Sequence, residues 1–398
     1  MSIWKTFGCL VPFQLMFGMV YAWGGIAPVV YRETGWSIAS LDLMFSLTPL
    51  TLFPAILAGG WLIGHYPPER VLMGACVCFA AGTLAGLSSD SPWTFSLCYA
   101  CLALGVGGGL STPASIQLVN RVASRAHGRF SGALLAVYCL SATINVPLFL
   151  CLARHESWRV ALGILATAWC ILGVLALVAL PRSPRQTKLA ANVEAVVVSD
   201  AGLGTVTGNI VLLFACVPFG SAAFAEIGRL ASTHGSETWL GVVGTAAISI
   251  TNSIGRLAGG ALSDFLSPGA TWCVVLGFAM SGYLAIVAET SLGSPSLFML
   301  FAALTGLAFG SVAGKLPALA ASTAPTRPAR AFSIYFGAFA LASFAGPLVS
   351  ATIGISATLT LFGCATVAAF TVTVVRTGLS RRSVPGLRLG SGADDHPA

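Results

Sequence analysis

The stretch Ile250-Thr251-Asn252-Ser253-Ile254-Gly255-Arg256-Leu257-Ala258-Gly259-Gly260-Ala261-Leu262-Ser263-Asp264 (ITNSIGRLAGGALSD) decides how this chain is read. It closes an apolar run that starts near Trp239, yet it places Arg256 about two turns before the end of that run. About 20 apolar residues cross the roughly 30 Å hydrocarbon core of a bilayer as one helix. Charges inside such helices are costly and face the bundle interior or a water-filled cavity, so they mark function. Helical side chains lean toward the N-terminus, which here carries the guanidinium toward mid-membrane. Thr245, Ser249, Asn252 and Arg256 follow 4-3-4 spacing and therefore form one polar stripe.

The rest of the chain agrees with a membrane setting. Its 398 residues are 56% hydrophobic and 8% charged, with mean hydropathy +0.87. A soluble domain is about a quarter charged, so the composition excludes one. Twelve apolar runs are predicted to span, at about 6–30, 41–63, 70–88, 93–118, 130–152, 158–180, 208–230, 238–263, 270–290, 296–322, 331–352 and 355–375. The opening MSIWK and its long apolar run exceed a signal-peptide core and form the first span. With the N-terminus inside, fourteen of the 20 Lys and Arg residues fall on the cytoplasmic side and four outside, leaving Arg256 and Lys315 within spans. That bias puts both termini in the cytoplasm of a bacterial-type inner membrane, and the +7 net charge then needs no nucleic-acid partner. The eleven cysteines, Cys98-x-x-Cys101 included, lie in or beside apolar runs as small hydrophobes. The five histidines are scattered through loops, so neither a metal site nor a cofactor is expected.

The longest polar interruption begins at Pro181 and divides the spans six and six. The expected organisation is an N-terminal bundle (1–180), a central cytoplasmic loop (181–207), a C-terminal bundle (208–377) and a disordered cytoplasmic tail (378–398). Weak internal symmetry supports the division: Gly59-Gly60 and Gly259-Gly260 each end a second span, and Pro147 and Pro347 share the same offset in the fifth spans. Two parallel six-helix repeats joined by a loop are the construction of a secondary transporter.

Gly260-Ala261-Leu262-Ser263-Asp264, near the loop between the second and third spans of its half, resembles the Gly-x-Leu-Ser-Asp motif of the major facilitator superfamily. The first-half copy has Gly64 where the aspartate belongs. Two stretches are similar to the oxalate/formate-antiporter and monocarboxylate-porter branch: GMVYAWGGIAPVVYRETGWS from Gly18, and NSIGRLAGG from Asn252. The resemblance implies an all-α membrane protein of twelve helices in two six-helix bundles. It further implies that spans 1, 4, 7 and 10 line a cavity, with 2, 5, 8 and 11 along the interface between halves. Asp264 would then serve a gate. Oxalate/formate antiporters pair the eighth-span arginine with an eleventh-span lysine, a position that falls at about Phe339 here. Oxalate itself therefore does not fit the pattern: either Lys315 supplies the second cation from the neighbouring span, or the pocket favours a flat aromatic substrate with one anionic group or none.

The residues themselves supply candidate faces. Gln14, Phe17 and Tyr21 share a face of the first span, and Tyr138, Ser141 and Asn145 one of the fifth. Ser311 and Lys315 are four apart on the tenth, as are Tyr335 and Phe339 on the eleventh. With Arg256 and Asn252, the expected substrate-contacting set is Arg256, Lys315, Asn252, Tyr21, Gln14, Tyr138, Asn145, Tyr335 and Phe339. Serines and tyrosines on membrane helices also bond simply from helix to helix. Glu226, three residues before Arg229, reads either as a local ion pair or as a protonatable gate. Gly310–Leu316 lacks the spacing of a phosphate loop. No nucleophile–base set appears, so the chain is not read as an enzyme. The first expectation is a monomeric importer working by alternating access on a monocarboxylate or aromatic carboxylate, with a proton as partner. Uptake of a neutral aromatic nutrient, a vitamin or riboflavin-type heterocycle, is the alternative, and drug or metabolite efflux the third.

Overall fold

A computed structural model describes residues 3–122, 127–180, 203–233 and 238–382 of the chain, and these are helical apart from short connections. Eleven of the helical stretches are long and apolar enough to cross a membrane. The remaining long helix, Thr238–Phe265, has 28 residues and carries Ser249, Thr251, Asn252, Ser253 and Arg256, polar residues that lower its hydropathy. It packs most heavily against the tenth span, Pro295–Thr323, and takes its place as the eighth. The chain is thus an all-helical, multi-pass membrane protein of twelve spans, as the sequence predicts.

Boundaries move in two places. The seventh span begins at Leu203, so the turn assigned to the central loop is helix. The twelfth runs from Ile355 to Arg382 and absorbs the start of the expected tail. The remainder of the loop and tail, the Thr245 side chain and the Arg229 side chain lie outside the described residues.

The first span is not one helix. It runs Ile3–Phe17, tightens to a 3-10 turn over Gly18–Ala22, and resumes as Trp23–Thr34. Gly35 stops it in the left-handed region at φ 69°, where a Cβ would be strained. Trp36 then packs on Phe95 and Trp158, with ring centroids 5.6 and 5.8 Å away. Ser37 caps the second span, Ile38–His65, by accepting from the Ser40 N–H at 3.2 Å. Such a cap contributes about 1 kcal/mol. The Gly-Trp-Ser element of the sequence is therefore a stop, an anchor and a start in three residues.

The halves meet along two seams. The second span packs on the eleventh (Pro328–Ile353), and the fifth (His127–Leu152) packs on the eighth. Gly128 and Gly132 of the fifth span face Gly260 so closely that a Cβ on any of them would collide with the opposite backbone. This contact lies at the end of the bundle that carries Asp264.

Candidate functional site

A cavity of about 90 Å³ lies between the halves. Val20 and Tyr21 reach it from the first span, Thr48 and Leu52 from the second, Thr112 from the fourth, and Leu135 and Tyr138 from the fifth. The other half contributes Ser221 and Phe224 from the seventh span, Arg256 from the eighth, Phe309 from the tenth, and Phe336, Phe339 and Ser343 from the eleventh. The volume holds about three waters at roughly 30 Å³ each and is below the roughly 300–1,000 Å³ of small-molecule pockets. Its walls are drawn in.

Those walls are a chain of rings. Tyr138 and Tyr21 meet edge to face at 5.8 Å, and Tyr21 lies 6.5 Å from Phe224. Phe224 and Phe309 follow at 5.6 Å, Phe309 and Phe339 at 5.0 Å, and Phe339 and Phe336 at 5.5 Å. Arg256 stands at the tyrosine end, 1% exposed. Its Nη2 donates to Tyr21 Oη at 2.9 Å and its Nη1 to the Leu135 carbonyl at 3.4 Å, while its Nε has no hydrogen-bond partner. The guanidinium lies 5.9 Å from the Tyr21 ring centroid and 5.8 Å from that of Tyr138. The titratable groups acting on this charge among the described residues are the Tyr21 and Tyr138 phenols and the Cys139 thiol. A buried guanidinium without a counter-anion among them has unused capacity for an anion.

Four sequence-derived residues thus line the cavity together: Arg256, Tyr21, Tyr138 and Phe339. The other five do not line it. Asn145 Nδ2 donates to the Leu15 carbonyl at 3.2 Å and to Ser141 Oγ at 2.7 Å, and its Oδ1 accepts from Trp169 Nε1 at 2.7 Å. It clamps spans 1, 5 and 6 where the first span breaks, with both of its amide N–H groups committed there. Asn252 donates to Cys139 Sγ at 3.2 Å and packs against Gly310, in the seam of spans 5, 8 and 10. Tyr335 turns away from the cavity and accepts from Asn209 Nδ2 at 3.4 Å. Gln14 is buried below the cavity wall, with Oε1 unpaired. Lys315 points into the core of its own half, its Nζ 3.6 Å from the centroid of the Trp272 ring.

The two gating candidates also separate. Asp264 accepts from the backbone N–H of Gly128 and of Arg129, both at 3.0 Å, and pairs with Arg129 Nε at 3.4 Å. These are free N–H groups of the first turn of the fifth span, so a carboxylate of one half caps a helix of the other. Gly64, at the matching position of the first half, has no side chain to do the same for the eleventh span. Glu226 accepts from Ser350 Oγ at 3.2 Å, within the C-terminal half and off the cavity.

Sequence reasoning missed Phe224, Phe309 and Phe336. Phe336 shares the spacing of Phe339 and could have been found from it. Among 23 phenylalanines nothing singles out the other two.

The Major Facilitator Superfamily model matches residues 9–347, across both halves. The chain belongs to the major facilitator superfamily. Over 163 residues it is 32% identical to the 3-(3-hydroxy-phenyl)propionate transporter of Escherichia coli strain K12. That alignment covers 40% of this chain and spans only 36% of that protein. In structure this facilitator is similar to the proton:xylose symporter XylE bound to 6-bromo-6-deoxy-D-glucose, with a TM-score of 0.72 over 93% of this chain and 94% of that one. At 14% identity that likeness is one of fold alone. As a member of this superfamily, the protein is a transporter and not an enzyme.

Proposed function

We propose that this facilitator imports a small aromatic monocarboxylate by alternating access, driven by a proton, across a bacterial-type inner membrane with both termini in the cytoplasm. The observation that carries the reading is the buried Arg256 guanidinium, which donates to a phenol and a carbonyl and has no carboxylate acting on it among the described residues, at one end of an aromatic cavity. One carboxylate matches one guanidinium, and the wall from Tyr138 to Phe336 suits a ring attached to it. The relative that carries 3-(3-hydroxy-phenyl)propionate supports this choice, since that solute joins an aromatic ring to an acid. Phe339, where the resembling antiporters place a second cation, argues against a dicarboxylate.

Both seams meet at the Asp264 end, which the basic loops assign to the cytoplasm. The conformation is therefore read as closed on that side, with opening of the Asp264 cap as the inward step.

Counterflow in proteoliposomes tests the proposal. Labelled 3-(3-hydroxyphenyl)propionate is expected to exchange, and unlabelled phenylpropionate to compete. Exchange of a neutral riboflavin-type heterocycle with no response to any carboxylate would overturn it in favour of the neutral-nutrient reading.

A further inference from the structure

The tenth span carries a second buried cation that the cavity does not use. Lys315 is 1% exposed, and its Nζ has no hydrogen-bond partner among the described residues. Its neighbour is the face of Trp272, 3.6 Å to the ring centroid. That indole is held in place, because its Nε1 donates to Asn209 Oδ1 at 2.8 Å and Asn209 Nδ2 in turn donates to Tyr335 Oη at 3.4 Å. The titratable groups acting on Lys315 are the thiols Cys216 of the seventh span and Cys273 of the ninth. Arg256 of the eighth span is engaged with Tyr21, Cys139 of the fifth with Asn252, and Tyr335 of the eleventh with Asn209. No carboxylate among the described residues acts on it.

An ammonium here keeps a cation–π contact and leaves three N–H donors without acceptors. An amine needs none of them. The pocket therefore accommodates both forms of one side chain, a property neither Arg256 nor a capped aspartate has. Arg256 is permanently protonated. Asp264 is committed to the Gly128 and Arg129 N–H groups, and the cavity lining holds neither carboxylate nor histidine.

We infer that Lys315 is the binding site of the coupling proton, a conclusion that rests on proton-driven import as proposed above. The Nζ lone pair takes a proton from water reaching it on one side, forming the third N–H bond over Trp272. Loss of that proton to water on the other side restores the amine, and no other group changes its bonding. The tenth span links this event to the cavity, since it carries Lys315 and Phe309 and packs along the eighth span at Arg256 through Gly314.

The experiment uses the full-length protein in proteoliposomes, with Lys315→Met and Lys315→Arg. A gradient of about one pH unit supports about tenfold accumulation for one-proton coupling. Wild type is expected to accumulate 3-(3-hydroxyphenyl)propionate to that extent. Both variants should fall to no accumulation, yet keep counterflow of the same labelled acid. A second arm needs no substrate. The fluorescence of Trp272, taken as wild type minus Trp272→Phe, should titrate with pH in wild type and be flat in both Lys315 variants. pH-driven accumulation retained by Lys315→Met, or a wild-type Trp272 signal that does not change with pH, overturns the inference. If wild type moves no carboxylate, the substrate reading fails while the fluorescence arm still decides Lys315. That arm also decides if a Lys315 variant does not fold, because the titration of Trp272 needs only wild type and Trp272→Phe.

Discussion

Replacing Arg256 by glutamine removes the one charge in the cavity while keeping a planar polar group of similar reach. A guanidinium has five N–H donors. Two are spent on Tyr21 Oη and the Leu135 carbonyl, and the Nε donor is unpaired. A carboxylate taking two of the remaining donors gains charge-assisted bonds of about 1.5–3 kcal/mol each. Glutamine returns one neutral bond of about 1 kcal/mol, leaving a deficit of roughly 2–5 kcal/mol. At 1.4 kcal/mol per tenfold, affinity for an aromatic acid should fall by roughly 30- to 4,000-fold. Stability should barely change. The bonds lost at Tyr21 and Leu135 have a charged donor and are worth about 1.5–3 kcal/mol each, and removing an uncompensated buried charge offsets them. Binding of 3-(3-hydroxyphenyl)propionate by calorimetry in detergent, with Tm measured on the same samples, separates the two effects. Arg256→Lys should recover only a small part of the affinity, because lysine is a point charge without the planar fork. Wild-type affinity and uptake rate in a well-folded Arg256→Gln would refute the anion reading.

Phe339→Lys places a second cation beside Phe309, whose ring centroid lies 5.0 Å from that of Phe339; uptake of the aromatic acid should weaken and binding of small dianions should appear, checked by competition with dicarboxylates. Asp264→Ala frees the N–H groups of Gly128 and Arg129, removing a cap worth about 1–2 kcal/mol and shifting the balance of states roughly tenfold toward the cytoplasm-open form. Accessibility of a cysteine placed at Gly132 to a bulky reagent is not a fair probe, since that site tolerates no side chain; distance measurements between spin labels at Tyr66 and Phe265 report the opening instead. Asn145→Ala, which undoes the clamp on Leu15 and Trp169, should lower stability by about 1–3 kcal/mol and leave the dissociation constant of folded protein unchanged. In a background of replaced native cysteines, a cysteine at Ser291 should label from outside intact cells and one at Tyr66 only after permeabilisation; the reverse would overturn the orientation read from the basic loops.

Hydropathy and helical period are properties of a one-dimensional string, and they sufficed for twelve spans in two bundles and for singling out Arg256 as a candidate. The desolvation cost of a charge in hydrocarbon singles out an arginine wherever its neighbours turn out to be. Shared faces were the weaker argument. Tyr335 and Phe339 are four residues apart, as are Asn252 and Arg256, yet in each pair only the second member reaches the cavity. Four residues leave about 40° of rotation and about 6 Å of depth between side chains. At one depth Tyr335 meets Asn209, and a turn further Phe339 meets Phe309. Lys315 has the inward lean of Arg256 but belongs to a helix whose orientation is set by Gly310 and Gly314 pressed against the eighth span, and that rotation sends its amine to Trp272. Asn145 looks like a binding residue in the sequence because nothing there announces that the first span breaks at Phe17 and offers its Leu15 carbonyl. What a polar side chain does in a membrane bundle is decided by the partner standing at its own depth, and only the packed helices supply that partner.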